Sequence, residues 1–393
     1  MNDAFALGFA VLVSCLAILG GRLTRRLGLP GASLVAAVLV GALLGPSVLG
    51  RIAPSVFDRA WIGDATAIQE LNRLESEQRA LQHLINEESK DPTTAGTRST
   101  ELAERKMEWQ AQQTAIRERH HAVPRWFLLT SALLIMGVAC VRRPGSARGN
   151  ALFGAWLAVA GGAAGLFIDR IADAPDPATT PFWIGAAAAV AWCSGPSRHR
   201  SREALLGPAR FATLYALIGL AVLTAAVGIG ENAAWPALAL LITAIGSRFI
   251  FLDDQRTTVR LEWLTRRILA PSIVAVSLLS IDLVEDLKQL WVPVLIWLAM
   301  SDLRWAVATM VIRTQGKSWV RACVTALPLM GTGSLAAAIG GIAFWTGQVD
   351  AVAAIWIFLA AALTELEGDL RGTTARMLAN LRRAPLSNSN AET

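Results

Sequence analysis

Residues 30–48 read PGASLVAAVLVGALLGPSV and contain no charged side chain. As an α-helix this stretch would be about 29 Å long, which matches the hydrocarbon core of a bilayer. Apolar runs of similar length recur along the chain. Of the 393 residues, 54% are apolar and 17% are charged, and the mean hydropathy is +0.45. This composition excludes a disordered chain, a disulfide scaffold and a large soluble enzyme, and predicts an all-α polytopic membrane protein.

The apolar runs predict about eleven membrane spans. In chain order they are 4–20, 30–48, 125–141, 149–168, 181–195, 208–229, 233–251, 268–283, 290–312, 320–345 and 351–365. The fifth, eighth and eleventh are short, so each is open to being broken, re-entrant or extended by flanking turns.

Basic residues are concentrated on one side of the predicted membrane. The short loops and the tail on that side carry 20 Arg and Lys residues, whereas the alternating short loops carry only Arg170 and Lys288 beside seven acidic residues. Because loops rich in Arg and Lys stay in the cytoplasm, we expect a multi-pass protein of the cell inner membrane. Its N-terminus is predicted outside and its C-terminus in the cytoplasm. This topology accounts for the net charge of +6, and no nucleic-acid partner is predicted.

A polar segment at 52–124 interrupts the apolar runs and is predicted to lie outside the cytoplasmic membrane. Its apolar positions repeat with the spacing of a coiled coil, and a second helical run follows a turn-like stretch. The simplest form is an antiparallel helical hairpin, either an inert solvated insertion or an arm for docking or oligomerisation. The residues predicted to meet a protein partner are Leu71, Leu74, Leu81, Ile85 and Trp109.

The chain is therefore predicted to divide into four segments. Residues 1–51 hold the first two membrane spans, and 52–124 form the extracytoplasmic helical hairpin. Residues 125–370 form a membrane bundle like that of a transporter, and 371–393 form a basic and then polar cytoplasmic tail.

Three motifs near the N-terminus carry a family resemblance. They are Gly21-Arg22-Leu23, Arg25-Arg26-Leu27-Gly28-Leu29-Pro30 and Gly41-Ala42-Leu43-Leu44-Gly45-Pro46-Ser47-Val48-Leu49-Gly50. Together they resemble the opening of the monovalent cation:proton antiporter superfamily, in its potassium-efflux and sodium–proton exchanger-like branch. Later stretches at 134–148, 208–211, 237–283 and 290–385 resemble the family in the same order.

The resemblance implies an inverted-repeat helical bundle that contains two crossed, broken helices and forms a homodimer. It also implies a monovalent cation and/or a proton as the transported species, with ion sites near the membrane midplane. Two features depart from the family pattern. The hairpin is inserted after the second span, and a pair of spans that the family has after its ion-binding helix is missing.

The chemistry expected of this family is altered in the chain. The acidic residues of its ion-binding span correspond to Gly219 and Leu220, and the whole run from Phe211 to Val227 contains no Asp or Glu. An ion-coupled antiporter needs a titratable carboxylate at depth, since ionisable residues inside a membrane mark ion pathways. The resemblance therefore implies an altered or degenerate ion site.

Several polar residues inside apolar runs are candidates for the ion pathway. Asp302 and Arg304 are either a surviving polar core or a structural charge pair. Ser194 and Pro196 mark either a broken helix or a helix end before a basic loop. Thr332 and Ser334 either line a polar path or allow close helix packing. Arg210, Arg248 and Glu365 fall near cytoplasmic helix ends, where snorkelling explains them without a function.

Two hypotheses follow for the function. The first is an ion transporter of the antiporter type with an altered ion site. The second is a transport-inactive antiporter scaffold that acts as a membrane-anchored signalling or partner-binding subunit, or a gated ion channel. An enzyme is not expected, because no catalytic motif is present. No cofactor or metal site is predicted, and membrane lipid is the remaining expected partner.

Overall fold

A computed structural model describes residues 2–29, 32–61, 122–140, 180–194, 221, 234–248, 255–286, 291–314, 316, 318–326 and 333–383. Within these ranges the chain forms helices joined by short turns, and no β-strand occurs. The chain divides into two compact units. One comprises Met1–Leu12 and Val48–Trp126, and the other comprises Val13–Ser47 and Phe127–Thr393.

Fourteen α-helices are named here in chain order. They are α1 (Asn2–Arg26), α2 (Ala32–Leu44), α3 (Leu49–Ile52), α4 (Pro54–Trp61), α5 (Ala122–Cys140), α6 (Thr180–Ser194), α7 (Ala234–Arg248), α8 (Gln255–Leu264), α9 (Ala270–Ser277), α10 (Leu283–Asp286), α11 (Trp291–Thr314), α12 (Trp319–Ala326), α13 (Gly333–Trp345) and α14 (Ala351–Arg383). A π-helix, Thr265–Leu269, joins α8 to α9, and a 3₁₀-helix, Leu278–Ser280, follows α9.

The described helices are those of an all-α membrane protein. Four are long and apolar enough to cross a bilayer, and three shorter ones are equally apolar in character. The long ones are Phe5–Arg26, Ser33–Ile52, Val259–Ser280 and Ala351–Arg371, and the shorter ones are Arg125–Ala139, Ala234–Ser247 and Gly333–Trp345. Each overlaps one of the predicted apolar runs.

Two predicted spans differ from the observed helices. The predicted span at 320–345 contains two helices, α12 and α13, separated by residues outside the described ranges. The predicted span at 351–365 is the first part of α14, which continues to Arg383. Helix α14 is longer because its polar second half finds partners on neighbouring helices. The predicted spans at 149–168 and 208–229, apart from Ala221, and hairpin residues 62–121 lie outside the described ranges.

Helix α9 is the centre of the larger unit. All eight of its residues are buried, and it packs against α2 on one side and α13 on the other. Glycines make these approaches close: a Cβ added to Gly41 of α2 would lie 2.8 Å from the carbonyl oxygen of Ala275. A Cβ on Gly341 of α13 would lie 2.5 Å from Cγ2 of Ile273. Small residues let helix backbones approach, which is how helices pack in membranes without a hydrophobic driving force.

Helix α14 completes this core by packing against α2, α11 and α13. It starts after a tight turn in which Gly347 adopts φ +75° and the Gln348 N–H donates to the carbonyl of Ala343. This is the Schellman arrangement that commonly ends a helix. The Asp350 carboxylate then accepts a hydrogen bond of 2.8 Å from the Ala353 N–H, as an N-cap does. The turn sets α14 antiparallel to α13.

The smaller unit is described through its helical parts. Phe9 of α1 packs against Phe57 and Trp61 of α4, with ring centroids 6.5 Å and 6.3 Å apart. Phe57 and Trp61 lie four residues apart and therefore share one face of α4. These rings attach α4 to the N-terminal end of the chain.

Candidate functional site

Glu365 is a buried acidic residue inside a membrane-span helix. It lies in α14, within the Ala351–Arg371 candidate span, and only 2% of its surface is exposed. Neither carboxylate oxygen makes a hydrogen bond with any described residue. Buried carboxylates are normally paired or hydrogen-bonded, because removing their charge from water is costly. Glu365 is therefore the residue in the described ranges that most needs a functional explanation.

Three arginines surround Glu365 and interact with it electrostatically. Arg25 comes from the last turn of α1, and Arg266 and Arg267 come from the π-helix. Helix α1 ends just before Gly28, which adopts φ +78°. Arg25 reaches the first turn of α2 through its contact with Ser33.

Two of these arginines meet at one hydroxyl group. Arg25 Nη2 donates to Ser33 Oγ at 3.2 Å, and Arg267 Nη1 donates to the same oxygen at 3.0 Å. Ser33 itself is 1% exposed. Both guanidinium groups are thus held next to Glu365 by a neutral acceptor, without a hydrogen bond to the carboxylate.

A second carboxylate lies one helical turn beyond Glu365. Asp369 Oδ1 is 3.9 Å from Arg266 Nη2, which is the outer limit of an ion pair. Residues four apart on a helix are neighbours on one face, so Glu365 and Asp369 form an acidic pair facing the π-helix. We call Arg25, Ser33, Arg266, Arg267, Glu365 and Asp369 the Glu365 cluster.

The first turn of α2 and Gly333 of α13 also lie beside Glu365. The backbone N–H of Leu34, in the first turn of α2, is directed at the carboxylate, although its geometry falls short of a hydrogen bond. Gly333 begins α13, and a Cβ there would lie 2.9 Å from Glu365 Cβ. Helix N-termini carry partial positive charge. The electrostatic surroundings of Glu365 are therefore predominantly positive.

The π-helix carries both Arg266 and Arg267. It continues α8 into α9 without a break, and Thr265 Oγ1 donates to the carbonyl of Glu262 at 3.0 Å. Single π turns inside α-helices are rare and occur frequently at functional sites. The π-helix is therefore a second feature typical of functional sites beside Glu365.

Glu367, two residues from Glu365, is a contrasting acidic residue. Trp297 Nε1 of α11 donates to Glu367 Oε2 at 2.8 Å, and Arg371 forms an ion pair with the same carboxylate. The Arg371 guanidinium also lies 5.7 Å from the ring centroid of Trp305. Glu367 is therefore fully partnered, and its position is that of a structural link between α11 and α14.

The predicted pathway residues are described only in part. Asp302 and Arg304 lie in α11, and Ser194 is the last residue of α6, but their side chains fall outside the described set. Pro196 and Thr332 fall outside it entirely, as do the hairpin residues Leu71, Leu74, Leu81, Ile85 and Trp109. Ser334 is half-buried in the first turn of α13, next to Gly333. It is thus near the Glu365 cluster, and the remaining residues stay predictions.

The interpretation of Glu365 as a snorkelling residue is wrong. Snorkelling keeps the charged group in water, whereas only 2% of the Glu365 surface is exposed. A signal was present in the sequence, because Glu365, Glu367 and Asp369 follow an uninterrupted apolar run and include an i, i+4 pair. The pairing partners of these residues were not visible there.

Comparison of the chain with family models, with curated proteins and with solved structures found no match. The class of protein is therefore defined by its own fold and site. It is an all-α membrane protein with a buried, unbonded carboxylate among arginines. Within the described residues no group of three or more His, Cys, Asp or Glu side chains is placed to hold a metal ion.

Proposed function

We propose that this protein is an integral membrane ion transporter of the cation:proton antiporter type with an altered ion site, in which Glu365 is the group that changes charge. The observation that carries the proposal is the burial of Glu365 in a membrane-span helix without a hydrogen bond. Ionisable residues in such positions are rare, and they mark ion pathways or proton relays by default.

The contrast with Glu367 supports the assignment. A carboxylate that gains and loses a proton must not be tied to permanent donors in one charge state. Glu367 is bonded to Trp297 and Arg371. The arginines near Glu365 instead contact the side chains of Ser33 and Asp369. In this proposal Glu367 has a structural role, and Glu365, in the same helix turn, is the residue that exchanges a proton.

The proposal includes the finer architecture that the resemblance implies. This is an inverted-repeat bundle of about eleven spans, with a homodimeric assembly and an extracytoplasmic coiled-coil hairpin at 52–124. The N-terminus would lie outside the cell inner membrane and the C-terminus in the cytoplasm. The observed helices that coincide with the predicted spans support it.

Asp302 stays in the proposal as the second acidic candidate. It lies in α11, which packs directly against α14. In this scheme Glu365 exchanges the proton, and Asp302 with Arg304, Ser194, Pro196, Thr332 and Ser334 would line the ion path.

Flux measurements in proteoliposomes containing a pH-sensitive dye would test the proposal. Na⁺ and K⁺ are added in turn to the wild type, Glu365→Gln, Asp302→Asn and the matched control Glu367→Gln. We expect cation-driven proton movement in the wild type and in the control, because a Gln at 367 still accepts the Trp297 hydrogen bond. Glu365→Gln should abolish it, because an amide cannot take up a proton. Unchanged flux in Glu365→Gln would refute the assignment.

One observation favours the alternative function. The run from Phe211 to Val227 lacks any acidic residue. The chain therefore has no carboxylate at the position where the resemblance places the ion-binding one. A transport-inactive scaffold, or a channel gated by a partner at the hairpin, would share this feature. Absence of flux in the wild type, with correctly folded protein, would support that alternative.

A further inference from the structure

We infer that the Glu365 cluster is a proton site that excludes alkali-metal cations, so that a transported metal ion, where there is one, does not compete for Glu365. The inference deepens the proposed function and depends on it only for the role of Glu365 as the exchanging group. Its basis is the charge, the donor character and the space around the carboxylate.

The charges of the cluster oppose a metal cation. Around Glu365 stand the guanidinium groups of Arg25, Arg266 and Arg267, and within the described residues Asp369 is the other carboxylate that interacts with it. With both carboxylates ionised, three positive charges therefore face two negative ones. Arg22 adds a further positive charge beside Arg25. A cation approaching Glu365 would meet net repulsion, which is strong at short range in a poorly solvated interior.

A backbone hydrogen-bond donor also faces Glu365. The Leu34 N–H, in the first turn of α2, is directed at the carboxylate and carries the partial positive charge of a helix N-terminus. Metal cations require several oxygen ligands to replace their hydration shell, as carbonyl rings do in channels. A proton requires a single oxygen atom, and Glu365 supplies two that are unbonded.

Three side chains near Glu365 that carry oxygen atoms are already in contact with donors. Ser33 Oγ accepts hydrogen bonds from both Arg25 and Arg267, and Asp369 faces Arg266. Glu367, the next acidic residue on α14, is paired with Arg371 and with Trp297 of α11. These oxygen atoms are therefore not free to complete a metal-ion shell at Glu365.

Space is also restricted on the side of α13. A Cβ added to Gly333 would lie 2.9 Å from Glu365 Cβ and would also collide with the carbonyl oxygen of Ala361. This contact is with the Cβ and backbone of Glu365. The carboxylate itself is shielded from solvent, since Glu365 is 2% exposed. An alkali ion would therefore have to lose its hydration shell to reach the carboxylate, whereas a proton adds no appreciable volume.

Infrared difference spectroscopy of the reconstituted protein would test the inference directly. The carbonyl stretch of a protonated carboxyl group is followed during a pH titration, and the Glu365 band is identified by its loss in Glu365→Gln and its retention in Glu367→Gln. The titration is repeated in choline, Na⁺ and K⁺ chloride at equal ionic strength. We expect the same midpoint in all three salts.

Competition by a metal ion would give a different result. If Na⁺ or K⁺ bound at Glu365, the midpoint would fall by about one pH unit for each tenfold rise in a saturating cation. Such a shift, or the absence of a Glu365 band at every pH, would overturn the inference. If Glu365→Gln does not fold, Glu365→Asp can be used to assign the Glu365 band. This variant keeps a carboxyl group but shifts the frequency of its carbonyl stretch.

A charge variant provides a second, independent measurement. Arg267→Gln removes one guanidinium but leaves an amide that can still donate to Ser33. We expect Na⁺ to begin shifting the Glu365 midpoint in this variant, because the loss of one positive charge weakens the repulsion of a cation. If Na⁺ still does not shift the Glu365 midpoint in Arg267→Gln, the electrostatic basis of the inference is contradicted.

The outcomes separate this inference from the proposed function. If the midpoint is the same in Na⁺, K⁺ and choline and the protein shows no flux, the result would support the proton site and refute cation:proton antiport. Flux that depends on Glu365, together with a midpoint that follows Na⁺ or K⁺, would support transport and refute the exclusion of cations.

Discussion

Arg267 donates a 3.0 Å hydrogen bond to Ser33 across 234 residues of chain. The bond joins the π-helix to the first turn of α2, and Arg25 reaches the same oxygen from the end of α1. One buried hydroxyl group thereby fixes the relative positions of three elements around Glu365.

Ser33→Ala should destabilise the larger unit. The substitution removes the acceptor shared by two half-buried guanidinium groups, and a typical hydrogen bond contributes about 0.5–1.5 kcal/mol. A lower midpoint of thermal unfolding in detergent is expected. Ser33→Thr is the matched control, since it keeps the hydroxyl and should unfold close to the wild type. Equal stability of Ser33→Ala and the wild type would show that the shared acceptor contributes nothing.

Gly41→Leu should disrupt the contact between α2 and α9. Even a Cβ would lie 2.8 Å from the Ala275 carbonyl oxygen and 2.8 Å from Leu278 Cβ, so a larger side chain must separate the helices. Overpacking of this kind costs about 1–3 kcal/mol or more. Gly8→Leu is the control, because nothing lies within 4 Å of its added Cβ. Expression level and thermal unfolding of both variants would test this prediction. A similar loss of stability in Gly8→Leu and Gly41→Leu would argue against close packing at Gly41.

Trp297→Phe should weaken the link between α11 and α14. The indole N–H donates to Glu367, and hydrogen bonds to charged groups contribute about 1.5–3 kcal/mol. Phe keeps most of the ring volume, so the loss in unfolding free energy reports mainly the hydrogen bond. Trp291→Phe, at a 52% exposed position on the same helix, is the control. Comparable stability of the two variants would be incompatible with the link.

Gly347→Ala should destabilise the turn between α13 and α14. Gly347 adopts φ +75°, a conformation that costs an L-residue with a Cβ roughly 1–2 kcal/mol. Gly347→Asn should be milder, because Asn tolerates the left-handed region better. Unfolding in denaturant would measure both, and an Ala variant more stable than the Asn variant would contradict the assigned backbone conformation.

The positions of the helices follow closely from local sequence. Helices α1, α2, α6, α7 and α11 begin within a few residues of the predicted spans, because a run of apolar residues long enough to cross a bilayer specifies a helix by itself. The end of α14 was less predictable. Its second half is polar, and its helical continuation depends on Glu367 contacting Trp297 and Arg371.

The Glu365 cluster required tertiary information. Its arginines come from α1 and the π-helix, and its acceptor comes from α2, so no local pattern around Glu365 contains them. The sequence placed Glu365 near an interface, where charge is inexpensive, and only the packing of α2 and α13 against α14 shows it buried.

By itself the sequence determined that the chain is a helical membrane protein, because each bilayer-length apolar run must satisfy its own backbone hydrogen bonds as a helix. Only the tertiary structure shows that Glu365 is buried away from water and that arginines from distant parts of the chain face it. Burial and pairing depend on contacts between segments distant in the chain, and in this protein close glycine packing brings those segments together at Glu365.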